Sequence, residues 1–397
     1  MDSSLGVYVH IPFCTRVCPY CDFAVEAVAS RGSKAGDWRA TEDLYVAGVL
    51  AELALRAPTF RGRSLASLYF GGGTPSLLRP DSLARIREAV EAAISPGSEK
   101  VEVTLEVNPS SVEREHLPGF RTEAGVTRLS LGVQSFDDSL LKALGRAHTG
   151  DACRRTLAAA REAGFANLSL DLMFAALHQT PAMLEADLAE ALDFGPEHIS
   201  CYELVFEAPT PFGRAAAAGR MNPYPEEGSA RMVERIEERL VASGYRRYEL
   251  TNYARPGYEA VHNRRYWQRR TVLGLGVGAH STDPASPGRP HGARHANPRV
   301  RQSWMDAIGA GHWPIGEEEI LDRGVAMAEA CFLSLRCEEG LDEAAFRAEF
   351  GVSPRAEFGA AIDGFLDRGL LEASGDGRLK LSRSGRMLAD TVCAEFV

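Results

Sequence analysis

Six short apolar runs, each separated from the next by a stretch of helical periodicity, constrain the fold of this chain more than any other feature. The runs are Gly6–His10, Leu65–Phe70, Val101–Val107, Thr127–Gly132, Asn167–Met173 and His198–Leu204. Between them lie helical patterns at Thr41–Arg56, Asp81–Ile94, Glu113–Glu123, Asp151–Ala163 and Met183–Phe194. Such alternation predicts repeated βα units and a parallel sheet. An α/β fold is therefore expected, and six units suit a partial (β/α)6 TIM-like barrel better than a closed eightfold one. Beyond residue 205 come a Pro/Gly-rich connection, a charged helix at Glu226–Ser243, a strand around Tyr245–Leu250, and a loop rich in Pro, Gly and His from Asp283 to Pro298. From about Glu317 the pattern is helical again. It ends in Gly369-Leu-Leu-Glu372 and Arg378-Leu-Lys-Leu381 around Asp376-Gly377, a hairpin signal that predicts a winged-helix-like module. The expected division is a core barrel over 1–235, an extension over 236–315 and a C-terminal module over 316–397.

Cys14, Cys18 and Cys21 stand in a CxxxCxxC run directly after the first predicted strand. The spacing places three thiolates on one tight loop, one fewer than the four that hold a closed iron–sulfur cluster. A [4Fe-4S] cubane held this way keeps one iron open, and an open iron can chelate the amino and carboxylate groups of a small molecule. The alternatives are unrelated buried thiols or a structural zinc site, although zinc sites usually bring a second Cys or Cys/His pair and no such pair is present. The other five cysteines, Cys153, Cys201, Cys331, Cys337 and Cys393, are scattered. A chain of this size does not need disulfides.

The 397 residues are 45% hydrophobic and 25% charged, a composition that supports a sizeable core. Lys+Arg 44 against Asp+Glu 54 gives a net charge of -10, which disfavours nonspecific nucleic-acid binding. Arg264, Arg265, Arg269 and Arg270 around Tyr266-Trp267 are a local exception, and a solvated face is the usual fate of such a cluster. The N-terminus lacks a basic region followed by an apolar run and reads as a strand rather than a signal peptide. No stretch approaches the ~18 apolar residues of a membrane span. A reducing cytoplasm is expected, with peripheral membrane contact and a homodimer left open.

Polar side chains recur at the strand ends. Gly71-Gly72-Gly73-Thr74-Pro75 follows the second strand, and its missing Cβ atoms would let a ligand approach the backbone. Glu106 and Asn108 close the third strand, Gln134 and Ser135 the fourth, and Asp171 the fifth, while Arg146 and His148 lie in the following Gly145-Arg146-Ala-His148. Polar groups in apolar runs are costly unless paired. A carboxylate such as Asp171 suits ribose hydroxyls, and Arg146 suits a carboxylate through paired hydrogen bonds. A structural salt bridge between the two is the alternative.

These motifs resemble the radical SAM superfamily, and within it the branch containing oxygen-independent coproporphyrinogen III dehydrogenase and the heme chaperones. The resemblance rests on Tyr8-Val-His10-Ile-Pro-Phe-Cys14, the glycine run, Leu105-Glu106-Val-Asn108-Pro109, Gly132-Val-Gln134-Ser135-Phe136, Gly145-Arg146-Ala-His148, Tyr248-Glu-Leu-Thr-Asn252, His262-Asn-Arg-Arg-Tyr266-Trp267 and Gly274-Leu-Gly276-Val-Gly278-Ala-His280-Ser281. It implies a [4Fe-4S] cluster on Cys14, Cys18 and Cys21, and S-adenosylmethionine (SAM) held by Tyr8, Tyr20, Gly72, Gly73, Thr74, Glu106, Gln134, Arg146 and Asp171. In that superfamily the reduced cluster injects an electron into the sulfonium and releases a 5'-deoxyadenosyl radical. The dehydrogenase carries a fourth cysteine two residues after the third, where this chain has Phe23, and it has a longer arm before the cluster. Both differences, with the 262–267 motif, favour the heme-chaperone branch.

What that branch implies is binding of heme, SAM and the cluster, and delivery of heme to proteins such as respiratory enzymes, without conversion of coproporphyrinogen. His262 is then the first candidate for a heme ligand, with His280 and His10 as others, and the neighbouring arginines could meet propionates. Oxidative decarboxylation of propionates and radical cleavage of heme are the competing activities. Two departures adjoin the expected pocket: Leu177-His178-Gln179-Thr180 replaces a Pro-Gly-Gln-Thr turn, and Val277 stands where proline is frequent.

Overall fold

The computed structural model describes residues 3–28, 35–97 and 100–397. Six strands, β1 (Ser4–Ile11), β2 (Ser64–Gly72), β3 (Glu102–Val107), β4 (Arg128–Gln134), β5 (Leu168–Phe174) and β6 (His198–Glu203), pair in chain order and all in parallel. Between them run helices α1 (Ala35–Arg56), α2 (Pro80–Ala93), α3 (Ser111–Thr122), α4 (Gly150–Glu162) and α5 (Pro181–Phe194). The expected partial barrel is present, its elements within a few residues of the predicted ones except at the start of α1.

Alternation along these strands decides where a site can form. Leu5, Val7 and Val9 of β1, Leu68 and Phe70 of β2, Val103 and Leu105 of β3, Leu129 and Leu131 of β4, Leu170 of β5 and Ile199 of β6 are buried in one continuous apolar core. The intervening residues are polar: Tyr8 and His10, Ser67 and Tyr69, Thr104 and Glu106, Arg128 and Ser130, Ser169 and Asp171, His198 and Ser200. Successive side chains of a strand point to opposite faces. A parallel sheet covered on both faces carries apolar residues on both. Here one face is apolar and the other polar, so the concave side is built to enclose a polar cavity.

The sheet continues past β1 and β6. Val272–Leu275 pairs with β1 in parallel, and Asn252–Ala254 pairs antiparallel with β6 and with Arg246–Arg247, giving twelve strands in an open order. The segment expected as a loop over 283–298 instead carries strand Ala293–Ala296, which pairs with His280–Asp283 on one side and Glu317–Ile320 on the other. Its strand signal is hidden because Asp283 and His295 are buried as a polar pair at 2.8 Å, and Arg56 of α1 reaches the same carboxylate at 3.2 Å. The 235/236 boundary falls inside helix Glu226–Ala242, and the strands of the extension belong to the barrel's own sheet.

The C-terminal module has its own core, including Met327, Cys331, Phe346, Phe365, Leu379 and Val392. Helices Glu343–Phe350 and Pro354–Asp367 precede hairpin Leu371–Ala373/Arg378–Leu381, and Leu341–Asp342 adds a third strand. That is a winged-helix-like arrangement. No helix among the described residues is long and apolar enough to cross a membrane.

One buried carboxylate ties the extension to α1. Glu52 is fully buried and accepts from Gly276 N–H at 2.7 Å, Trp304 Nε1 at 2.9 Å and Asn297 Nδ2 at 2.6 Å. Burial pushes its carboxyl up to about 7 against these donors. The folded chain therefore holds a proton that the unfolded chain has released, and this group's contribution to stability falls as pH rises from 4.5 to about 7. Glu52→Gln removes that dependence. Relative to the parent, the variant should gain on the order of 2 kcal/mol between about pH 5.5 and pH 8 in denaturant titrations.

Candidate functional site

A cavity of about 700 Å³ opens at the C-terminal ends of the six parallel strands. Cys14, Cys18 and Cys21 line it together with Tyr20, Gly72, Gly73, Thr74, Glu106, Asn108, Gln134, Arg146 and Asp171. The cysteine loop rides over the end of β2 because Gly73 has no side chain. A Cβ there would lie 2.7 Å from the Phe13 carbonyl and 3.0 Å from Cys14 Sγ. At Gly72, with φ of +110°, a Cβ would meet the His10 ring at 2.5 Å. The glycine run was expected to open the backbone to a ligand. At these two positions the missing side chains make room for the protein itself, bringing the cysteine loop and β1 onto the turn.

All three cysteines are free thiols. Thr74 Oγ1 approaches Cys14 Sγ at 3.8 Å and Arg146 Nη1 donates to Cys18 Sγ at 3.5 Å. Burial pushes the Cys14 thiol up to about 11 and also raises Cys21, each with a further contribution from the neighbouring cysteines. Three thiolates held together in a half-buried loop are thus unfavourable alone, and binding to iron offsets that cost. No group of three or more His, Cys, Asp or Glu side chains among the described residues converges as a single ion would require. A cubane asks for something else, each thiolate on a different iron, and the donor set fits it.

Polar groups beside the loop form a connected set. Glu106 accepts from Tyr69 OH at 2.9 Å and from Gly72 N–H at 3.0 Å, and burial pushes its carboxyl up to about 7. Asn108 Nδ2 donates to Thr74 Oγ1 at 2.7 Å, while its Oδ1 accepts from Arg146. Arg146 also donates to the Gly132 carbonyl at 3.2 Å. Asp171 accepts from Ser130 at 3.3 Å and is raised by burial. His148 lines the cavity too, its Nε2 3.1 Å from the Val133 carbonyl, and burial lowers it to about 4. Tyr20 lies beside Cys18 and Arg146, and burial raises its phenol.

Several expected residues lie elsewhere. Tyr8 does not line the cavity; its ring packs against Tyr69 and His262, and its hydroxyl lies 3.1 Å from His10 Nδ1. His262 is 1% exposed, with Nδ1 2.9 Å from Ser67 Oγ and Nε2 3.2 Å from Tyr266 OH. Both ring nitrogens are engaged and burial lowers the imidazole to about 3, so His262 offers no nitrogen to a heme iron. The 262–267 motif forms helix Val261–Trp267 and plugs the barrel. Arg265 is buried there and donates to the Ser4 and Thr271 carbonyls at 2.8 and 3.1 Å. His10 is also doubly engaged, by Tyr8 and by the Ala24 carbonyl at 2.9 Å. Of the three imidazoles weighed, His280 alone is exposed.

Arg128, Ser200, Tyr202 and Asn263 line the floor and were not singled out in the sequence. Their signal was available for Arg128: Arg128, Ser130, Gly132 and Gln134 alternate with Leu129, Leu131 and Val133.

The radical SAM superfamily model matches residues 8–191, and the HemN C-terminal domain model matches residues 321–388. Heme chaperone HemW of Bacillus subtilis (strain 168) is 32% identical over 392 residues, 99% of each chain. The chain belongs to the HemW family. HemW of Escherichia coli (strain K12) is 35% identical over 286 residues, 72% of each chain, and that of Mycobacterium tuberculosis (strain H37Rv) is 33% identical over 400 residues, 98% of this chain and 93% of the relative. Among solved structures, the radical SAM enzyme coproporphyrinogen III oxidase (HemN) of Escherichia coli superposes with a TM-score of 0.81 at 22% identity, covering 100% of this chain and 90% of the other. That likeness shows the shared fold. As in other members of the radical SAM superfamily, a [4Fe-4S] cluster and SAM are the implied cofactors.

If the approach at Gly73 sets the cysteine loop, Gly73→Ala should lose most of its iron and sulfide after anaerobic reconstitution. Gly359→Ala, which has open space around it, should keep both.

Proposed function

We propose that this chain is a radical SAM heme chaperone that binds a [4Fe-4S] cluster, SAM and heme, and passes heme to acceptor proteins such as respiratory enzymes. One observation carries the reading: the three cysteines and eight of the nine residues expected to hold SAM line a single cavity at the strand ends. The HemW relatives, similar over nearly the full length, supply the heme-carrier part. Cys14, Cys18 and Cys21 hold the cluster, which when bound supplies one electron at a time and an open coordination site. Arg146 and Thr74 meet the carboxylate of SAM, Glu106 its ammonium, Asp171 the ribose, and Gln134, Gly72, Gly73 and Tyr20 complete the enclosure. A chain with eight unpaired cysteines and such a cluster belongs in a reducing cytoplasm.

Phe23, 66% exposed at the cavity mouth, occupies the place of the dehydrogenase's fourth cysteine, which favours the carrier over the decarboxylase. Cys14→Ala, Cys18→Ala and Cys21→Ala should each abolish the visible absorbance of the reconstituted cluster; full iron and sulfide in any of them would remove the cluster assignment. The reconstituted parent should bind heme stoichiometrically and leave coproporphyrinogen III unchanged with SAM and reductant. Formation of protoporphyrinogen would make it a dehydrogenase, and porphyrin loss with 5'-deoxyadenosine would make it a heme-cleaving enzyme.

A further inference from the structure

The floor of the cavity holds a cation that the proposed cluster and SAM ligands leave unused. Arg128 opens β4, is 1% exposed and lines the cavity. Side chains alternate along a strand, so Arg128, Ser130 and Gly132 share the inward face. The register sets Thr104 opposite Arg128 and Glu106 opposite Ser130, while Asp171 lies opposite Ser200 on the next pair. Ser130 also pairs with Ser169, so on the inward face Arg128 stands one rung below Glu106 and two below Asp171.

Both carboxylates take their hydrogen bonds from neutral donors, Glu106 from Tyr69 and Gly72, Asp171 from Ser130. Arg128 Nε has no partner among the described residues. A buried guanidinium with an unpartnered Nε is costly unless opposite charge nearby offsets it. Its field favours the ionised form of Glu106 and of Asp171. We infer that Arg128 is the internal counterion that keeps Glu106 and Asp171 ionised, so that the pair presents negative charge to a cationic cofactor. Arg128 is a positioning residue acting through the two carboxylates, and the inference rests on the SAM reading above.

Arg128 acts on both carboxylates, and Arg146 adds to its effect on Asp171. Tyr8 and Tyr69 face the pair from β1 and β2, Tyr202 and His198 from β6, and Tyr248 and His262 from below. Burial raises those phenols and lowers those imidazoles, so they stay neutral from about pH 6 to pH 9. Arg146 donates to Cys18, Asn108 and the Gly132 carbonyl and is the same in the parent and in every Arg128 variant, so it does not enter their comparison. Arg128 supplies the fixed charge at the floor, and Glu106 supplies the titration near neutral pH.

The test is SAM binding by the cluster-reconstituted, unreduced full chain, measured by equilibrium dialysis from pH 6 to pH 9.5 for the parent, Arg128→Met and Arg128→Lys. A positive charge lowers a neighbouring carboxylate's pKa, so its removal raises it. The parent's affinity should climb through about pH 7 and level off. Arg128→Met should bind SAM about tenfold more weakly near pH 7, with its climb displaced upward by about one to two pH units, and Arg128→Lys should restore the parent's profile. Titration of the ligand's own amino group is common to all three and cancels. Should Arg128→Met not accumulate as folded protein, Arg128→Gln removes the charge and is read in the same way. A parental profile in the uncharged variant, or a loss equal in Met and Lys and independent of pH, overturns the inference. Absence of SAM binding by the parent overturns instead the reading on which it rests, and the inference with it.

Discussion

A low-dielectric barrel interior lined by polar side chains is the constraint on which the rest of this structure depends. Each inward group of the six strands must find a partner without bulk water, and the partners come from segments distant in sequence. Ser67 is satisfied by His262, which Tyr266 meets at 3.2 Å, and Ser169 by His198, which Tyr248 meets at 2.9 Å. The 248–252 and 262–267 motifs are thus parts of the barrel's lower seal. With the seal in place the upper half stays open, and the cysteine loop, Glu106 and Arg146 are brought together there.

The same economy links the two lobes. Arg269 pairs with Glu329 and Glu349, Arg294 with Glu329, Arg264 with Glu339, Arg247 with Glu338 and Arg386 with Glu237. The arginine cluster around Tyr266-Trp267 reads as a solvated face in sequence, yet in the fold it divides. Arg265 goes into the barrel seal, while Arg264 and Arg269 reach acidic residues of the C-terminal module. Partly exposed pairs contribute less than ~1 kcal/mol each. Their role is orientation, with Leu250 packing into the module's core beside them.

The strands and helices of the first half were legible because each keeps one period long enough to read, and the site was legible because polar residues interrupt apolar runs only at strand ends. What sequence could not show was direction. His262 looks like an iron ligand until Ser67, some two hundred residues away in the chain, is found on its Nδ1. Gly72 and Gly73 look like a ligand's approach until His10 and Cys14 fill the space. Val277 looks like a lost proline until its N–H is found donating to Tyr45 OH at 3.1 Å, a bond a proline could not make. Strand Ala293–Ala296 stayed hidden because its buried residues include a histidine, and a strand of four residues carries too little periodicity to read.

Strain at the rim follows the same logic. Gln134 has φ of 66° in a bulge where the β4–β5 register shifts, and His178 has φ of 64° in the turn after β5, the position at which the related turn carries glycine. A side chain in the left-handed region costs roughly 1–2 kcal/mol. Around both residues buried hydrogen bonds hold the backbone. Asp187 accepts from Ser135 Oγ and Phe136 N–H, each at 2.7 Å, and Gln179 accepts from Ala176 N–H at 3.1 Å while donating to the Met173 carbonyl at 3.3 Å. A bulge bends the strand and re-aims its side chains. At Gln134 this turns the end of β4 toward the cavity, where a regular strand would have continued past it, and Asp187, buried on α5, holds it there.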